Sequence, residues 1–254
     1  MLQTRLILTC ALSLCAFTLA KAADAPQFDR PGIAFSTATV PRGSVSFEQG
    51  LPDFERSSDA GVSTRAYSAD TNVRVGLSDS LEVQVAAAAF NYVTTRSQGI
   101  ETSSRGSGDS SIALKVALPS NQPRLSWAAL GSVTFASGAR DFTAGAPTYD
   151  LGTTVSLQIA DNASTAFYVD LTRFRDETTW TVSPSFSYSV TDTVGTFVEA
   201  GASHSRHDPD VDVAGGGFTW MITPVVQLDL AADFGLNRAS PHVQGGFGVA
   251  VFLE

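Results

Sequence analysis

The stretch Val226-Gln227-Leu228-Asp229-Leu230-Ala231-Ala232-Asp233-Phe234 decides the fold. Its even-numbered residues are all apolar, whereas its odd-numbered residues include one amide and two carboxylates. Successive side chains of an extended chain point to opposite faces, so this spacing places the apolar residues on one face and the polar residues on the other. The stretch predicts a β-strand with one apolar and one polar face.

The same period of two recurs along the chain, most clearly over 111–118, 150–159 and 180–188. Further strands are predicted near 43–52, 63–77, 81–92, 125–137, 165–173, 194–203, 213–223 and 242–253. About twelve strands result.

The first residues predict export. A positively charged start is followed by the apolar stretch Leu6 to Ala20, and Ala20-Lys21-Ala22 fits a cleavage site. Residues 1–22 are therefore predicted to be a cleaved signal peptide, because the apolar stretch is short for a membrane anchor. Both cysteines lie in this leader, so the mature chain has no thiol for a disulfide or a thiolate metal site. Residues 23–42 are predicted to be a periplasmic N-terminal segment, and residues 43–254 a barrel.

The composition excludes several classes of protein. The formal net charge is -9, so a basic surface that would neutralise a nucleic acid is not expected. No apolar run after the leader is long enough for a membrane helix. A soluble β-sandwich would also alternate, but its exposed face would be richer in Lys and Glu. The polar face here is mostly Ser, Thr, Gly and Ala, which is typical of the lumen of a closed barrel.

The predicted connections alternate in length. Tight turns are predicted around 78–80, 119–123, 161–163, 191–193 and 224, and longer loops near 53–62, 93–108, 138–149, 204–212 and 235–241. The connection near 174–178 is intermediate. Short periplasmic turns and longer outer loops characterise outer-membrane barrels. The sequence therefore predicts an all-β, antiparallel transmembrane β-barrel with periplasmic termini, located in the outer membrane of a Gram-negative bacterium and in contact with its lipid.

Aromatic residues near the ends of the predicted strands favour the same fold. As a set, they are suited to form belts at the two membrane interfaces. The set consists of Phe47, Tyr67, Trp127, Phe135, Phe167, Trp180, Tyr188, Trp220, Phe234 and Phe247.

Several short motifs follow one another along the mature chain: Phe28-Asp29-Arg30-Pro31-Gly32, residues 39–43 and 48–50, Val75-Gly76-Leu77-Ser78-Asp79 with Leu81-Glu82, residues 106–109 with Leu114-Lys115, and the closing stretch 227–248. Together they resemble the outer-membrane transporter-like family named for the meta-pathway of phenol degradation. The resemblance covers nearly the whole mature chain. It implies a transport-like, porin-like barrel for aromatic or other hydrophobic compounds.

The end of the chain departs from this pattern. Such barrels usually end in an aromatic residue that the barrel-assembly machinery recognises, whereas here Phe252 is followed by Leu253 and Glu254. The barrel-assembly machinery is expected as a partner of the protein.

Charged residues on the predicted polar face are candidates for lining the lumen. They are Glu48, Asp70, Arg74, Glu82, Asp109, Lys115, Asp150, Asp170, Glu199, Asp229 and Asp233. A narrow tube of low dielectric focuses their field on a passing solute, and the acidic excess favours cations or neutral solutes. In the alternative interpretation, Arg74 and Lys115 pair with carboxylates across strands and fill the lumen.

Pro184 interrupts an otherwise regular strand on its lipid-facing side, where it removes one hydrogen bond of the ladder. This is a candidate defect in the wall, through which a hydrophobic solute would leave sideways into the membrane. A bulge without a function is the alternative.

No enzyme is predicted. A barrel lipid hydrolase needs a nucleophile and a base, but His204, His207 and His242 lie in or beside predicted outer loops, outside any recognisable motif. No metal site or cofactor is predicted. The sequence favours passive passage of small solutes, and the alternative function is that of a non-transporting structural or surface-interaction barrel.

Overall fold

The computed structural model describes residues 27–254, and the predicted signal peptide lies outside them. This part of the chain folds into thirteen strands without a helix. The strands are β1 Val45–Asp59, β2 Val62–Ser78, β3 Leu81–Ser97, β4 Ile100–Gly106, β5 Ser110–Leu118, β6 Leu125–Phe135, β7 Thr148–Ala160, β8 Ala163–Phe174, β9 Glu177–Ser189, β10 Val194–Ser205, β11 Val211–Thr223, β12 Val226–Gly235 and β13 Val243–Leu253. Among the described residues, no helix is long and apolar enough to cross a membrane.

The strands form a closed barrel. Neighbours pair antiparallel in chain order, and β1 pairs with β13 to close the sheet. β4 pairs with residues 91–97 of β3, and β5 pairs with residues 81–87 of the same strand. Because β4 and β5 together form one interrupted wall strand, the thirteen strands make a barrel of twelve wall strands. The predicted antiparallel barrel is confirmed.

The barrel places apolar side chains outside and polar side chains inside. In β12, Leu230 and Phe234 are 54% and 57% exposed, whereas Asp229 and Asp233 are 2% and 6% exposed. Apolar side chains are exposed in the same way on other strands, for example Leu151 at 60% and Phe218 at 59%. A soluble protein buries such residues, so this surface is suited to lipid.

Both ends of the barrel wall lie at the same rim, because Val45 pairs with Leu253. We call this rim the proximal end and the opposite rim the distal end. Connections at the proximal end are short, as predicted: residues 79–80, 119–124, 161–162, 190–193 and 224–225. Loops of several residues at the distal end span 136–147, 206–210 and 236–242.

Two predicted distal loops are wrong. Where the sequence predicts loops near 53–62 and 93–108, the structure has long hairpins with the two-residue turns Ala60-Gly61 and Gln98-Gly99. All four turn residues have positive φ, between 47° and 82°, which matches the twist of a tight hairpin. The hairpins were missed because they extend beyond the apolar part of the wall, where both faces of a strand are polar and the alternation fades.

Candidate functional site

The first described residues form an N-terminal segment, residues 27–44, that lies inside the ring of strands. The backbone N–H of Arg30 donates to Glu48 of β1, that of Ile33 to Glu199 of β10, and that of Val40 to Glu82 of β3, at 2.9, 2.8 and 2.6 Å. β1 and β3 are both neighbours of β2, whereas β10 lies across the barrel from β3, so the segment crosses the interior. Its backbone donors have no ladder partners, and carboxylates of the wall satisfy them instead.

This placement differs from the predicted one, in which residues 23–42 extend into the periplasm. The described part of that range, 27–42, occupies the proximal half of the barrel. The apolar residues Phe28 and Val40 explain part of the difference, because they pack against Ala250 and Phe252 on the inner face of β13. Burying these side chains favours the interior over water.

The base of the N-terminal segment rests on a buried charge cluster. Arg74 of β2 contacts Glu48 at 2.9 Å and Glu82 at 2.8 Å, while Lys115 of β5 contacts Asp29 at 2.8 Å and Glu82 at 3.3 Å. Both cations and both wall carboxylates are at most 1% exposed. Both cations therefore pair with carboxylates across strands, as in the second of the two sequence interpretations.

Arg30 fixes the top of the N-terminal segment. Its guanidinium donates to both oxygens of Asp53, at 3.0 and 2.8 Å, and lies 3.4 Å from Asp229. The facing strand β13 has Gly246 and Gly248 here, where a Cβ atom would collide with Asp53 and with Arg30. The two glycines therefore make room for this ion pair.

Two cavities lie on either side of this point. A distal cavity of about 440 Å³ and a proximal cavity of about 490 Å³ share Arg30, Pro31 and Gly32 in their linings. The distal cavity extends along Asp53–Glu55 towards the loop end of the barrel, and the proximal cavity along Ser187–Ser189 towards the turns. Three residues of the N-terminal segment thus separate two hollow parts of one barrel.

Carboxylates predominate on the inner face beyond the charge cluster. The Thr172 hydroxyl lies 2.8 Å from oxygens of both Asp150 and Asp170, and Ser132 donates to Asp150 at 2.8 Å. One oxygen of Asp233 has no hydrogen-bond partner among the described residues. The predicted role of these residues in selectivity stays a prediction.

Asp70 and Asp109 lie away from the charge cluster. Ser68 donates to Asp70 at 2.7 Å, beside Asp53. Asp109 lies between β4 and β5 and accepts the N–H groups of Gly138 and Ala144, each at 2.8 Å. Its carboxylate thus holds the loop 136–147 against the wall.

Pro184 is exposed on the outer face of β9, as its phase predicts. The ladder between β9 and β10 pairs Ser185 with Glu199 and Val182 with Ala202, and the residues between these pairs are not paired across these two strands. The register is the same on both sides of the gap, so the strand has no bulge here. A role for this gap in lateral release stays a prediction.

The histidines at the distal end contact carboxylates. His204 lies 2.6 Å from Asp210, and His207, which follows β10, contacts Glu177 at the start of the neighbouring strand β9. The hydrogen bond and charge of Glu177 raise the pKa of the exposed His207 imidazole above its ordinary value. Within residues 27–254, no cluster of three or more metal-ligating side chains is present.

Sequence reasoning missed Asp29, Arg30 and Asp53, which position the N-terminal segment. Asp29 and Arg30 precede the first strand, and Asp53 follows Leu51-Pro52, where β1 is bulged against both neighbours. The Pro in the strand and the nearby charges were the available signal, because a bulge is one of the few positions that accept Pro within a sheet.

Comparisons with known proteins agree with this architecture. An outer-membrane channel from Pseudomonas putida F1 superposes with a TM-score of 0.70 at 13% identity, over 88% of this chain and 98% of that one. The KdgM porin gives 0.53 at 8% identity, over 83% and 98% of the two chains. The translocator domain of the autotransporter NalP from Neisseria meningitidis gives 0.51 at 10% identity, over 83% and 87%. At such identities the likeness concerns the fold, which is that of outer-membrane barrels and supports the predicted location.

The family comparison is more specific. The comparison with curated proteins finds no match. The model of the family described as the MetA-pathway of phenol degradation, however, matches residues 28–252, which covers nearly all of the N-terminal segment and of the barrel. The chain therefore belongs to this family of outer-membrane barrels, as the motifs of its sequence predict.

Proposed function

We propose that the protein is an outer-membrane channel for the passive passage of small solutes, in which the N-terminal segment is the movable obstruction. The observation that carries this proposal is the pair of cavities that share Arg30, Pro31 and Gly32 in their linings. In this proposal the signal peptide is cleaved, the barrel-assembly machinery inserts the protein, and the proximal end faces the periplasm.

The way the N-terminal segment is held supports its displacement. Its upper part forms no ladder with the wall and is fixed by Arg30 on Asp53 and by Ile33 on Glu199. Arg30 is accessible to water from the distal cavity, where ion pairs are weaker than in a dry interior. The upper part can therefore leave the centre while the charge cluster below still holds the base.

The lining indicates the class of solute. The distal cavity is bordered by Asp53, Glu55 and Asp233 with Arg30 as its cation, which favours small cationic or neutral polar solutes. The proximal cavity adds the rings of Phe35 and Phe197. These rings are the surface that a small aromatic solute, as implied by the family resemblance, would contact.

A reversible crosslink tests the proposal. Ile33, in the upper part of the N-terminal segment, lies against β10: a Cβ atom added at Gly201 would be 2.9 Å from Ile33 Cδ1, and both native cysteines lie in the predicted leader. In the double variant Ile33→Cys/Gly201→Cys, oxidation is expected to lower the conductance in planar bilayers, and reduction to restore it. The single variant Ile33→Cys serves as control and should not respond to oxidation.

Two outcomes would count against the proposal in different ways. Equal conductance in the oxidised and reduced states would mean that the N-terminal segment is not the obstruction. A second variant, Arg30→Ala/Glu199→Ala, frees the upper part of the N-terminal segment. If this variant and the wild type show neither conductance nor solute entry into vesicles, the protein does not transport and the structural barrel is the better interpretation.

A further inference from the structure

Four arginines lie together on the outer face of the distal hairpins. Arg56, Arg65, Arg96 and Arg105 come from β1, β2, β3 and β4, and all four are exposed. Arg56 pairs directly with Arg65, and their outward row continues to Thr94 of β3. We call these four residues the arginine patch.

Aromatic residues fix the height of the arginine patch relative to the membrane. Phe54, Tyr67 and Tyr92 pair across β1, β2 and β3, and Arg105 of β4 completes the same row. Exposed tyrosines in such a row mark the membrane interface. The arginine patch therefore begins at the level of the interface and continues beyond it.

The spacing places most of the arginine patch among lipid headgroups. Two residues advance a strand by about 7 Å, which is about 5 Å of depth for a strand tilted by about 45°. The headgroup layer adds about 5 to 8 Å on each side of the hydrocarbon core. Arg56 and Arg65 lie one row beyond the tyrosines, hence within this layer, whereas Arg96 lies two rows beyond, at a depth of about 10 Å and outside the layer.

The arginine patch lacks compensating charge. None of the four arginines forms a salt bridge with another described residue, and Glu101, opposite Arg96, is the acidic residue on this face. Like charges directly opposite in a sheet destabilise it, so the pair Arg56 and Arg65 costs stability. Such a concentration of positive charge is unexpected on a chain with a net charge of -9 unless a bound anion compensates it.

We propose that the arginine patch binds the phosphate groups of a phosphorylated glycolipid of the outer leaflet. Guanidinium groups recognise phosphate through paired hydrogen bonds, and the headgroup level supplies phosphate at the height where the arginines lie. The acyl chains of the same lipid would pack against the apolar wall below Tyr67 and Tyr92. The site lies outside the barrel and is independent of transport.

Lipid binding to the full chain, purified in detergent with a chelator of divalent cations, tests the proposal. The probe is bis-phosphorylated lipid A, and bound lipid is counted by native mass spectrometry. The variant Arg56→Gln/Arg65→Gln should bind at least tenfold more weakly than wild type. The variant Arg140→Gln/Arg238→Gln changes the charge equally, on exposed arginines of two other distal loops, and should bind as wild type does.

Further arms identify the ligand. Dephosphorylated lipid A should bind at least tenfold more weakly than lipid A to the wild type, and inorganic phosphate should not compete at equal concentration. Competition by inorganic phosphate, or equal loss in both double variants, would overturn the proposal of a lipid site. Retained binding by Arg56→Gln/Arg65→Gln would do so as well. Heat-modifiable migration on a gel verifies that each variant is folded.

Discussion

At the scale of a residue, Arg74 shows how much a single buried charge contributes to the stability of the barrel. It is fully buried and bonds Glu48, Glu82 and the carbonyl oxygens of Gln27 and Ala38. Arg74→Ala leaves buried carboxylates without their main partner, and breaking such a pair costs about 3 to 5 kcal/mol. We expect a loss of this size in the free energy of unfolding, measured by urea titration in lipid vesicles.

The matched control for this prediction is Arg124→Ala. Arg124 is exposed in a proximal turn, so its removal should change the free energy of unfolding by less than about 0.5 kcal/mol. If Arg74→Ala is as harmless as the control, the charge cluster does not hold the N-terminal segment in place.

At the scale of an element, β9 carries the interrupted ladder beside Pro184. Pro184→Val supplies the missing N–H towards β10, and one hydrogen bond contributes about 0.5 to 1.5 kcal/mol. We expect a higher urea midpoint and, if solutes leave through this gap, slower uptake of apolar but not polar solutes into vesicles. Pro224→Val, in an exposed turn, is the control. Unchanged uptake of apolar solutes would reject lateral release through β9.

At the scale of the whole molecule, the acidic inner face predicts the sign of ion selectivity. Beyond the charge cluster the inner face carries Asp150, Asp170, Glu199 and Asp233, with Arg30 as the nearest cation of the N-terminal segment. Reversal potentials in a salt gradient should show cation preference, weaker at high salt because ions screen the charges. Glu199→Gln/Asp233→Asn should reduce the preference. Anion preference of the wild type would contradict this prediction.

Particular strands show where the sequence pattern predicts the fold and where it does not. The alternation in 226–234 predicts both faces of β12, because lipid on one side and polar groups on the other impose a strict period of two. The same criterion fails for β4 and the distal end of β1, where no lipid selects for apolar residues. There the turn Gln98-Gly99 was the better signal, since Gly accepts positive φ without strain.

The sequence by itself determined the number of wall strands, the direction in which side chains point and the family, because each depends on local spacing or motifs. Only the tertiary structure decided what fills the barrel. Arg30, for example, bonds Asp53, which is 23 residues away in the chain, and Asp229, which is 199 residues away. Closure of the sheet brings such distant groups together, and no local pattern encodes that distance.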